Sequence, residues 1–178
     1  RVRSSAASDV YKRQTPYRVW VSEIMLQQTR VEAVKPYFER FTTALPDAKA
    51  LAVCPEDELL KLWEGLGYYN RVRNMQKAAV EVVENYGGQL PADYEKLLKL
   101  KGIGHYTAGA VASIAYGIPV PAVDGNVLRV LTRVSADDTD IMCQILSSEL
   151  CTQTDIVYFS QHFFFQFYIP ESAAILVT

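Results

Sequence analysis

Apolar residues recur three and four positions apart along most of the chain, from residue 15 to residue 134. This spacing predicts about seven short helices, and no run of alternating residues predicts a strand. The predicted helices are "PYRVWVSEIMLQ", "TRVEAVKPYFERF", "CPEDELLKLWEG", "NRVRNMQKAAVEVVENYGG", "DYEKLLKL", "HYTAGAVASIAYG" and "DGNVLRVLTRV". The first of them is nearly all apolar, which predicts a buried helix. We therefore expect an all-α domain over residues 15–135.

Several residues predict where individual helices begin and end. Thr29 and Glu32 have the spacing of a capping box at the start of the second helix. Pro36 predicts a kink in the same helix, because proline removes a backbone donor and clashes with the preceding turn. Asn70 is a candidate N-cap for the helix that Gly87 is expected to end.

The two ends of the chain do not share this pattern. Residues 1–14, "RVRSSAASDVYKRQ", are polar and without periodicity, and we expect a disordered tail or a sequence scar. Residues 136–178 contain no cationic side chain, and their phenylalanines are clustered. An exposed strand of that composition would aggregate. We predict that this segment is an anomalous C-terminus of frameshifted or foreign origin and assign it no function; the alternative is a genuine element of the fold.

Charge and cysteine content narrow the function classes only slightly. The net charge of -2 combines a basic segment over residues 1–14 (+3), a near-neutral body over residues 15–134 (+1) and six acidic residues with no basic ones after residue 134 (-6). Local patches, rather than totals, create the field that attracts a partner. Cys54, Cys143 and Cys151 form no CxxC pair and no zinc spacing, so reduced thiols and no metal site are expected. No apolar run is long enough to span a membrane, and no membrane partner is expected.

The stretch "LKGIGHYTAGA" predicts a helix, a tight turn and a second helix. Gly102 and Gly104 permit positive φ and leave room for the backbone to approach a ligand. The N–H groups that begin the second helix can bind an anion. Small residues then allow close packing of the two helices: Ala108, Gly109, Ala110 and Ala112. The pattern favours a clamp for DNA phosphate, and the alternative is an ordinary helical corner with a glycine cap.

Two carboxylates stand out as candidate catalytic groups. Glu23 lies among apolar residues in "VWVSEIMLQQT", and burial would raise its pKa into the range of a general acid near pH 7. The alternative for Glu23 is a solvated helix face. Asp124 follows two prolines in "PAVDGNVLRV", which suggests a carboxylate held at the floor of a cleft. Its alternative role is that of a helix N-cap.

Four stretches in order resemble the MutY-type adenine DNA glycosylases of the helix-hairpin-helix glycosylase superfamily. They are "VWVSEIMLQQTRVE", "LWEGLGYYNRVRN", "LKGIGHYTAGAVASIAYG" and "PAVDGNVLRV". The resemblance implies the six-helix barrel of an endonuclease III-like fold. Endonuclease III has a nucleophilic lysine where Tyr106 stands, and a tyrosine cannot form an imine. A monofunctional glycosylase is therefore favoured over a bifunctional glycosylase/lyase, a DNA-binding module without activity, or an inactive fragment.

The resemblance also implies a role for each catalytic candidate. Adenine opposite 8-oxoguanine or guanine in double-stranded DNA would be flipped out of the helix. Glu23 would protonate N7 of the adenine, and ionised Asp124 would stabilise the oxocarbenium-like state. Asn126 would hold Asp124 in place, and Tyr106 would hydrogen-bond at the reacting centre.

Further residues are expected to contact DNA. The hairpin would do so through Gly102, Ile103, Gly104, His105 and Thr107. The resemblance places four residues on the 8-oxoguanine side, with Tyr68 as a wedge in the base stack: Gln28, Thr29, Leu66 and Tyr68. Arg71 and Arg73 could bind phosphate. The alternative for the tyrosines of the "GLGYYN" loop is that they cap the core. The alternative for Arg71 and Arg73 is that they lie on a solvated helix face.

The family usually holds a 4Fe-4S cluster in a C-x6-C-x2-C-x5-C run. Cys143 and Cys151 are seven residues apart and nothing completes the set, so we expect most of the barrel without its iron–sulfur half. The protein is expected to be a monomer in the bacterial cytoplasm, associated with the nucleoid.

Overall fold

The computed structural model describes residues 15–125 together with residues 127, 129, 130 and 133. The helices are α1 (Pro16–Leu26), α2 (Val31–Ala44), α3 (Ala48–Val53), α4 (Glu56–Trp63), α5 (Asn70–Tyr86), α6 (Tyr94–Leu98) and α7 (His105–Tyr116). The backbone is also helical at the described positions from 125 to 133. No strand occurs in this part of the chain, and the predicted all-α class is confirmed. The predicted roles of residues 1–14, 136–178 and Asn126 fall outside the described residues.

α1 is the central helix of the core. Thr15 caps it by accepting a hydrogen bond from the Arg18 backbone N–H at 3.3 Å, and Pro16 occupies the first helical position, where its missing N–H costs nothing. Every residue of α1 except Pro16 and Arg18 is buried, as the apolar sequence predicted. The helix packs against α7 on one side and α2 on the other. It therefore brings its own side chains into the middle of the domain.

Aromatic side chains fill the space between α1, α2 and α4. Trp20, Phe38, Phe41 and Trp63 are all fully buried. Phe41 and Trp63 pack edge to face with ring centroids 5.8 Å apart. Burying each such side chain stabilises the fold by about 1.5–3 kcal/mol. This cluster supports the end of α4, from which the loop to α5 begins.

Two of the predicted caps are wrong, and one is confirmed. Thr29 makes no cap bond to α2, which begins at Val31 with Arg30 as its N-cap. Gln28 adopts a left-handed conformation with φ of 61°, which shifts the helix start, and the Thr29 hydroxyl donates to the Gln27 carbonyl instead. Asn70 is the first residue of α5 rather than its cap. Gly87 ends α5 with φ of 65°, as expected.

The structure contains one helix that the apolar pattern did not predict. α3 is short, and Asp47 caps it by accepting from the Ala50 backbone N–H at 2.8 Å. Aspartate is a preferred N-cap, so this signal was present in the sequence. Pro36 lies inside α2, which continues to Ala44, and the kink stays a prediction. Within the described residues, no helix has the length and apolar character needed to cross a membrane.

Candidate active site

Glu23 is a buried carboxyl on the inner face of α1. Its side chain is 2% exposed, so the alternative of a solvated helix face is wrong. Among the described residues neither carboxyl oxygen has a hydrogen-bond partner of ordinary geometry. Burial raises its pKa to about 7, and a weaker hydrogen bond from the Tyr106 hydroxyl acts in the opposite direction. A carboxyl of this pKa carries a transferable proton at neutral pH.

Tyr106 connects Glu23 to the segment that leads to Asp124. It lies in the first turn of α7, the helix that packs most extensively on α1. Its hydroxyl interacts with the Glu23 carboxyl, and its ring packs against a small cluster formed by Ala110 and Ala122. One half-buried side chain thus contacts both sides of the site.

Gly109 allows the chain before Asp124 to lie directly on α7. A Cβ atom at Gly109 would come within 2.3 Å of the Pro121 carbonyl oxygen and 3.2 Å of the Ala122 Cα atom. The small residues of α7 were predicted to bring the two hairpin helices together. At Gly109 the neighbour is instead the segment of residues 121–122, because this segment returns across α7 after Gly117 ends the helix.

Asp124 ends this segment and caps the next helical residues. Its Oδ1 atom accepts a hydrogen bond from the Val127 backbone N–H at 2.8 Å. The N-cap role considered for Asp124 is therefore present, and the bond also fixes the orientation of the carboxylate. The predicted support from Asn126 lies outside the described residues and stays a prediction.

The hairpin turn has the geometry of an anion-binding corner. Gly102 adopts φ of 77°, and a Cβ atom there would meet the Asn74 Cβ at 2.8 Å. Gly104 is extended, with φ of -95°, so only Gly102 uses the conformational freedom of glycine. Gly104 is the N-cap of α7 and provides no side-chain cap bond. No protein atom lies within 4 Å of a Cβ built there, so the start of α7 is open to a ligand.

The other hairpin residues differ in what they present to the surface. Ile103 and Thr107 are buried, and the Thr107 hydroxyl accepts from the Gln27 side-chain amide at 3.4 Å. His105 is exposed, with its Nδ1 atom 2.9 Å from the Tyr94 hydroxyl oxygen. Ile103 and Thr107 can therefore contribute to a DNA contact only through their backbone.

Two exposed residues near the hairpin have strained backbones. Gln28 and Tyr68 are the two non-glycine residues with positive φ in the described part of the chain, at 61° and 48°. Tyr68 is 67% exposed, whereas Leu66 is 7% exposed and belongs to the core. Backbone strain of this kind costs about 1–3 kcal/mol and concentrates at functional sites. The predicted wedge residue is thus presented at the surface, whereas Leu66 is not.

Arg71 does not extend into solvent, as a phosphate-binding arginine would. Its guanidinium donates to backbone carbonyl oxygens at the end of α1 and in the loop before α5. Burial lowers the pKa of Arg71, although a guanidinium stays protonated at any physiological pH. Arg73 pairs with Glu56 at 2.7 Å on the surface. Both terminal nitrogens of the Arg71 guanidinium are thus engaged within the fold, whereas its Nε atom is buried and has no hydrogen-bond partner among the described residues. The predicted phosphate contact of Arg71 stays a prediction.

The sequence matches the family model of the HhH-GPD superfamily base excision DNA repair proteins over residues 21–152. The chain belongs to this superfamily. The match covers the carboxyl on α1, the hairpin and the segment before Asp124, and it confirms the resemblance stated from the four sequence stretches. The predicted division at residue 135 stays a prediction.

Several superfamily members with close sequences carry the same name. The chain is 45% identical to the adenine DNA glycosylase of Mus musculus over 149 residues, which is 83% of this chain and 29% of the relative. It is 47% identical to that of Homo sapiens over 75% of this chain and 25% of the relative. It is 45% identical to the adenine DNA glycosylase of Buchnera aphidicola (strain APS) over 67% of this chain and 34% of the relative. The chain thus spans about a third or less of the length of these relatives.

Solved structures of the superfamily have the same fold. A trapped endonuclease III–DNA covalent intermediate superposes with a TM-score of 0.71 at 26% identity, over 85% of this chain and 74% of the other. A non-covalent endonuclease III–DNA complex gives a TM-score of 0.70 at 26% identity, over 85% of this chain and 73% of the other. These similarities confirm the predicted endonuclease III-like architecture.

The described residues do not supply the ligands of an iron–sulfur cluster. No three of their His, Cys, Asp and Glu side chains converge on a common point. Cys54 is the cysteine within the described range, and burial raises the pKa of its thiol, which opposes the thiolate that a cluster needs. Cys143 and Cys151 lie outside the described residues.

Sequence reasoning did not find the roles of Arg71, Gln27 and Gly109. An arginine at the start of an amphipathic helix occupies the same position in the sequence pattern whether its side chain faces solvent or the preceding loop. Gly109 was recognised as small, but the segment it contacts is twelve residues further along the chain. Only a signal for long-range contact could have identified these three residues.

Proposed function

We propose that this chain carries the catalytic site of a DNA N-glycosylase that releases adenine paired with 8-oxoguanine or guanine. The observation that carries the proposal is the buried Glu23 carboxyl, with a pKa of about 7, beside a tyrosine rather than an amine. The relatives named adenine DNA glycosylase support the choice of base. Tyr106 supports hydrolysis over lyase chemistry, because a phenol cannot form a Schiff base.

The site has the groups for acid-assisted cleavage of a glycosidic bond. A flipped adenine would accept the Glu23 proton at N7, and the electron pair of the C1′–N9 bond would leave with the base. The resulting oxocarbenium-like sugar would be stabilised by the carboxylate of Asp124. Water adds to C1′ and returns a proton to the Glu23 carboxylate, which restores the acid. The products are free adenine and an abasic site in an unbroken strand.

The hairpin would hold the DNA backbone during this reaction. The open N-terminus of α7 at Gly104 offers backbone N–H groups and the positive end of a helix dipole to a phosphate. The two endonuclease III structures with the same fold are DNA complexes. Tyr68 is exposed, and its ring contacts Arg71, which lines a cavity together with Gly102 of the hairpin. It can stack in place of the flipped base. That the chain acts as a monomer stays a prediction. The bacterial, nucleoid-associated location stays a prediction.

Adenine release from a duplex with one A:8-oxoguanine pair tests the proposal. Under single-turnover conditions we expect free adenine, with strand breakage only after alkali. Borohydride is expected to trap no covalent adduct. A trapped adduct would support the bifunctional glycosylase/lyase instead. Tight binding of the duplex without release of adenine would support a DNA-binding module.

A further inference from the structure

Arg71 joins two separate loops through a single guanidinium group. Its Nη1 atom donates to the carbonyl oxygens of Ile24 at 3.0 Å and of Gln27. A longer contact of 3.5 Å joins the same nitrogen to the Met25 carbonyl oxygen. Its Nη2 atom donates to those of Leu66 at 3.1 Å and Gly67 at 3.3 Å. The first group belongs to the end of α1, and the second to the loop between α4 and α5. The two loops are therefore held at one fixed separation.

Each loop continues directly into a strained residue. The Gln27 carbonyl precedes Gln28, with φ of 61°, and the Gly67 carbonyl precedes Tyr68, with φ of 48°. Such conformations persist only where the surrounding structure holds them. The bonds from Arg71 act on the peptide groups immediately before both positions. The guanidinium also lies over the Tyr68 ring at 5.5 Å, which adds a cation–π contact.

The same loops are connected to the catalytic helices. The Gln27 side chain bonds to Thr107, the neighbour of Tyr106 on α7. A cavity of about 170 Å³ is lined by Gln27 and Arg71 together with Lys101 and Gly102 of the hairpin. The exposed, strained residues thus lie beside the hairpin, on the same surface that the proposed function assigns to DNA.

We propose that Arg71 is a positioning residue that holds Gln28 and Tyr68 in one rigid arrangement, and that this arrangement determines which base pair the site accepts. The inference rests on the proposed function. Arg71 contacts neither the reacting atoms nor Glu23 in this arrangement, so its effect is on selection between duplexes. A lysine cannot replace it, because an ammonium group lacks the planar fork that reaches both sets of carbonyls.

Two variants and one matched control test the inference. Arg71→Lys keeps the charge, and Arg71→Met removes it. Arg18→Lys is the control, because Arg18 also lies over an aromatic ring, Phe38, and donates one hydrogen bond, to Thr42, away from both loops. The melting temperature of each variant is measured first, to show that the chain is folded.

The first measurement is hydrogen–deuterium exchange and needs no activity. In both Arg71 variants we expect amide exchange in residues 26–30 and 65–69 to accelerate by at least about tenfold, the effect of one lost charge-assisted hydrogen bond. In Arg18→Lys we expect both segments to exchange as in the wild-type chain. Unchanged exchange in Arg71→Met would overturn the inference.

The second measurement is the ratio of single-turnover adenine release from A:8-oxoguanine and A:G duplexes. We expect this ratio to fall about tenfold or more in both Arg71 variants and to stay constant in Arg18→Lys. Equal slowing on both duplexes would show a merely structural role and contradict the inference. If the wild-type chain releases no adenine, the proposed function fails, whereas the exchange result still decides whether Arg71 orders the two loops.

The wild-type chain provides a measurement that does not depend on the folding of any variant. Guanidinium protons fixed on backbone carbonyls give separate, slowly exchanging nitrogen-15 NMR signals. We expect resolved Nη signals for Arg71 and averaged signals for the exposed Arg73. Averaged signals for Arg71 would contradict the inference even if both variants fail to fold.

Discussion

The carbonyl oxygen of Pro121 lies so close to Gly109 that a Cβ atom at Gly109 would be only 2.3 Å from it. No other residue type leaves enough space at this position, because the contact is with backbone and cannot be relieved by turning a side chain. The contact sets the distance between α7, which carries Tyr106, and the segment that ends at Asp124. The relative position of Tyr106 and Asp124 therefore depends on the absence of a side chain at Gly109.

Gly109→Ala should displace the segment of residues 121–124 from α7. We expect the free energy of unfolding to fall by about 1–3 kcal/mol, the usual cost of overpacking, and adenine release to slow at a temperature where the variant is folded. Gly104→Ala is the stability control, because no protein atom lies within 4 Å of the added Cβ. Urea denaturation and single-turnover release measure the two effects. Normal release by folded Gly109→Ala would show that the contact does not position Asp124.

Glu23→Gln should abolish most of the activity while leaving the fold intact. The amide cannot donate the proton, so we expect adenine release to fall at least about 100-fold. Affinity for the duplex should stay close to that of the wild-type chain. Glu32→Gln is a matched control, since Glu32 is an exposed carboxylate in a surface ion pair with Lys35. Near-normal release by Glu23→Gln would exclude Glu23 as the general acid.

The raised pKa of Glu23 should make both stability and rate depend on pH. The folded protein keeps the proton up to about pH 7, whereas the unfolded chain loses it near 4.5. The unfolding free energy should therefore decrease as pH rises from 4.5 to 7, by about 3 kcal/mol from this group. Adenine release should also fall above pH 7, where Glu23 is ionised.

The pH dependence is measured as the difference between the wild-type chain and Glu23→Gln. Unfolding by urea at several pH values between 5 and 8 gives this difference, in which the contributions of other groups cancel. We expect the wild-type chain to lose stability relative to Glu23→Gln as pH rises over this range. A constant difference would mean that Glu23 is not titrating in this window.

Tyr106→Phe should move the pH profile of the reaction upward. The Tyr106 hydroxyl lowers the pKa of Glu23, so its removal leaves burial unopposed and raises that pKa further. The pH at which adenine release begins to decline should then be higher than in the wild-type chain. Tyr116→Phe is the control, because Tyr116 is on the same helix but bonds to the Leu90 carbonyl. A shift in the control, or none in Tyr106→Phe, would contradict this account.

The two hairpin glycines should respond differently to alanine. Gly102→Ala should destabilise the chain, because φ of 77° is strained for alanine and its Cβ would press on Asn74. Gly104→Ala should fold normally but reduce affinity for duplex DNA roughly tenfold, as the methyl group keeps a phosphate from the N–H groups. Fluorescence anisotropy with a labelled duplex measures the affinity. Full affinity in Gly104→Ala would place the phosphate contact elsewhere.

Much of this site could be predicted because its signals are local. The burial of Glu23 follows from the apolar residues on every side of it along α1, and the hairpin from two glycines before a helix of small residues. The hydrogen bonds of Arg71 could not be predicted because their acceptors are backbone carbonyl oxygens, which every residue has and which therefore leave no signal in the sequence. The capping box at Thr29 failed because the strained Gln28 delays the start of α2, and strain of that kind comes from contacts with other parts of the chain.

The sequence by itself determined most of the helices, the buried acid, the hairpin and the superfamily, since each depends on residue types at short spacing. Only the tertiary structure decided how these parts are arranged. Tyr106 reaches Glu23 because α1 and α7 pack together, Pro121 lies on Gly109 because the chain returns across α7, and Arg71 links loops that are far apart in sequence. The contacts of Tyr106 with Glu23 and of Arg71 with Gln27 join residues about 40 to 85 positions apart in the chain. Such contacts are selected by packing in three dimensions rather than by local propensity.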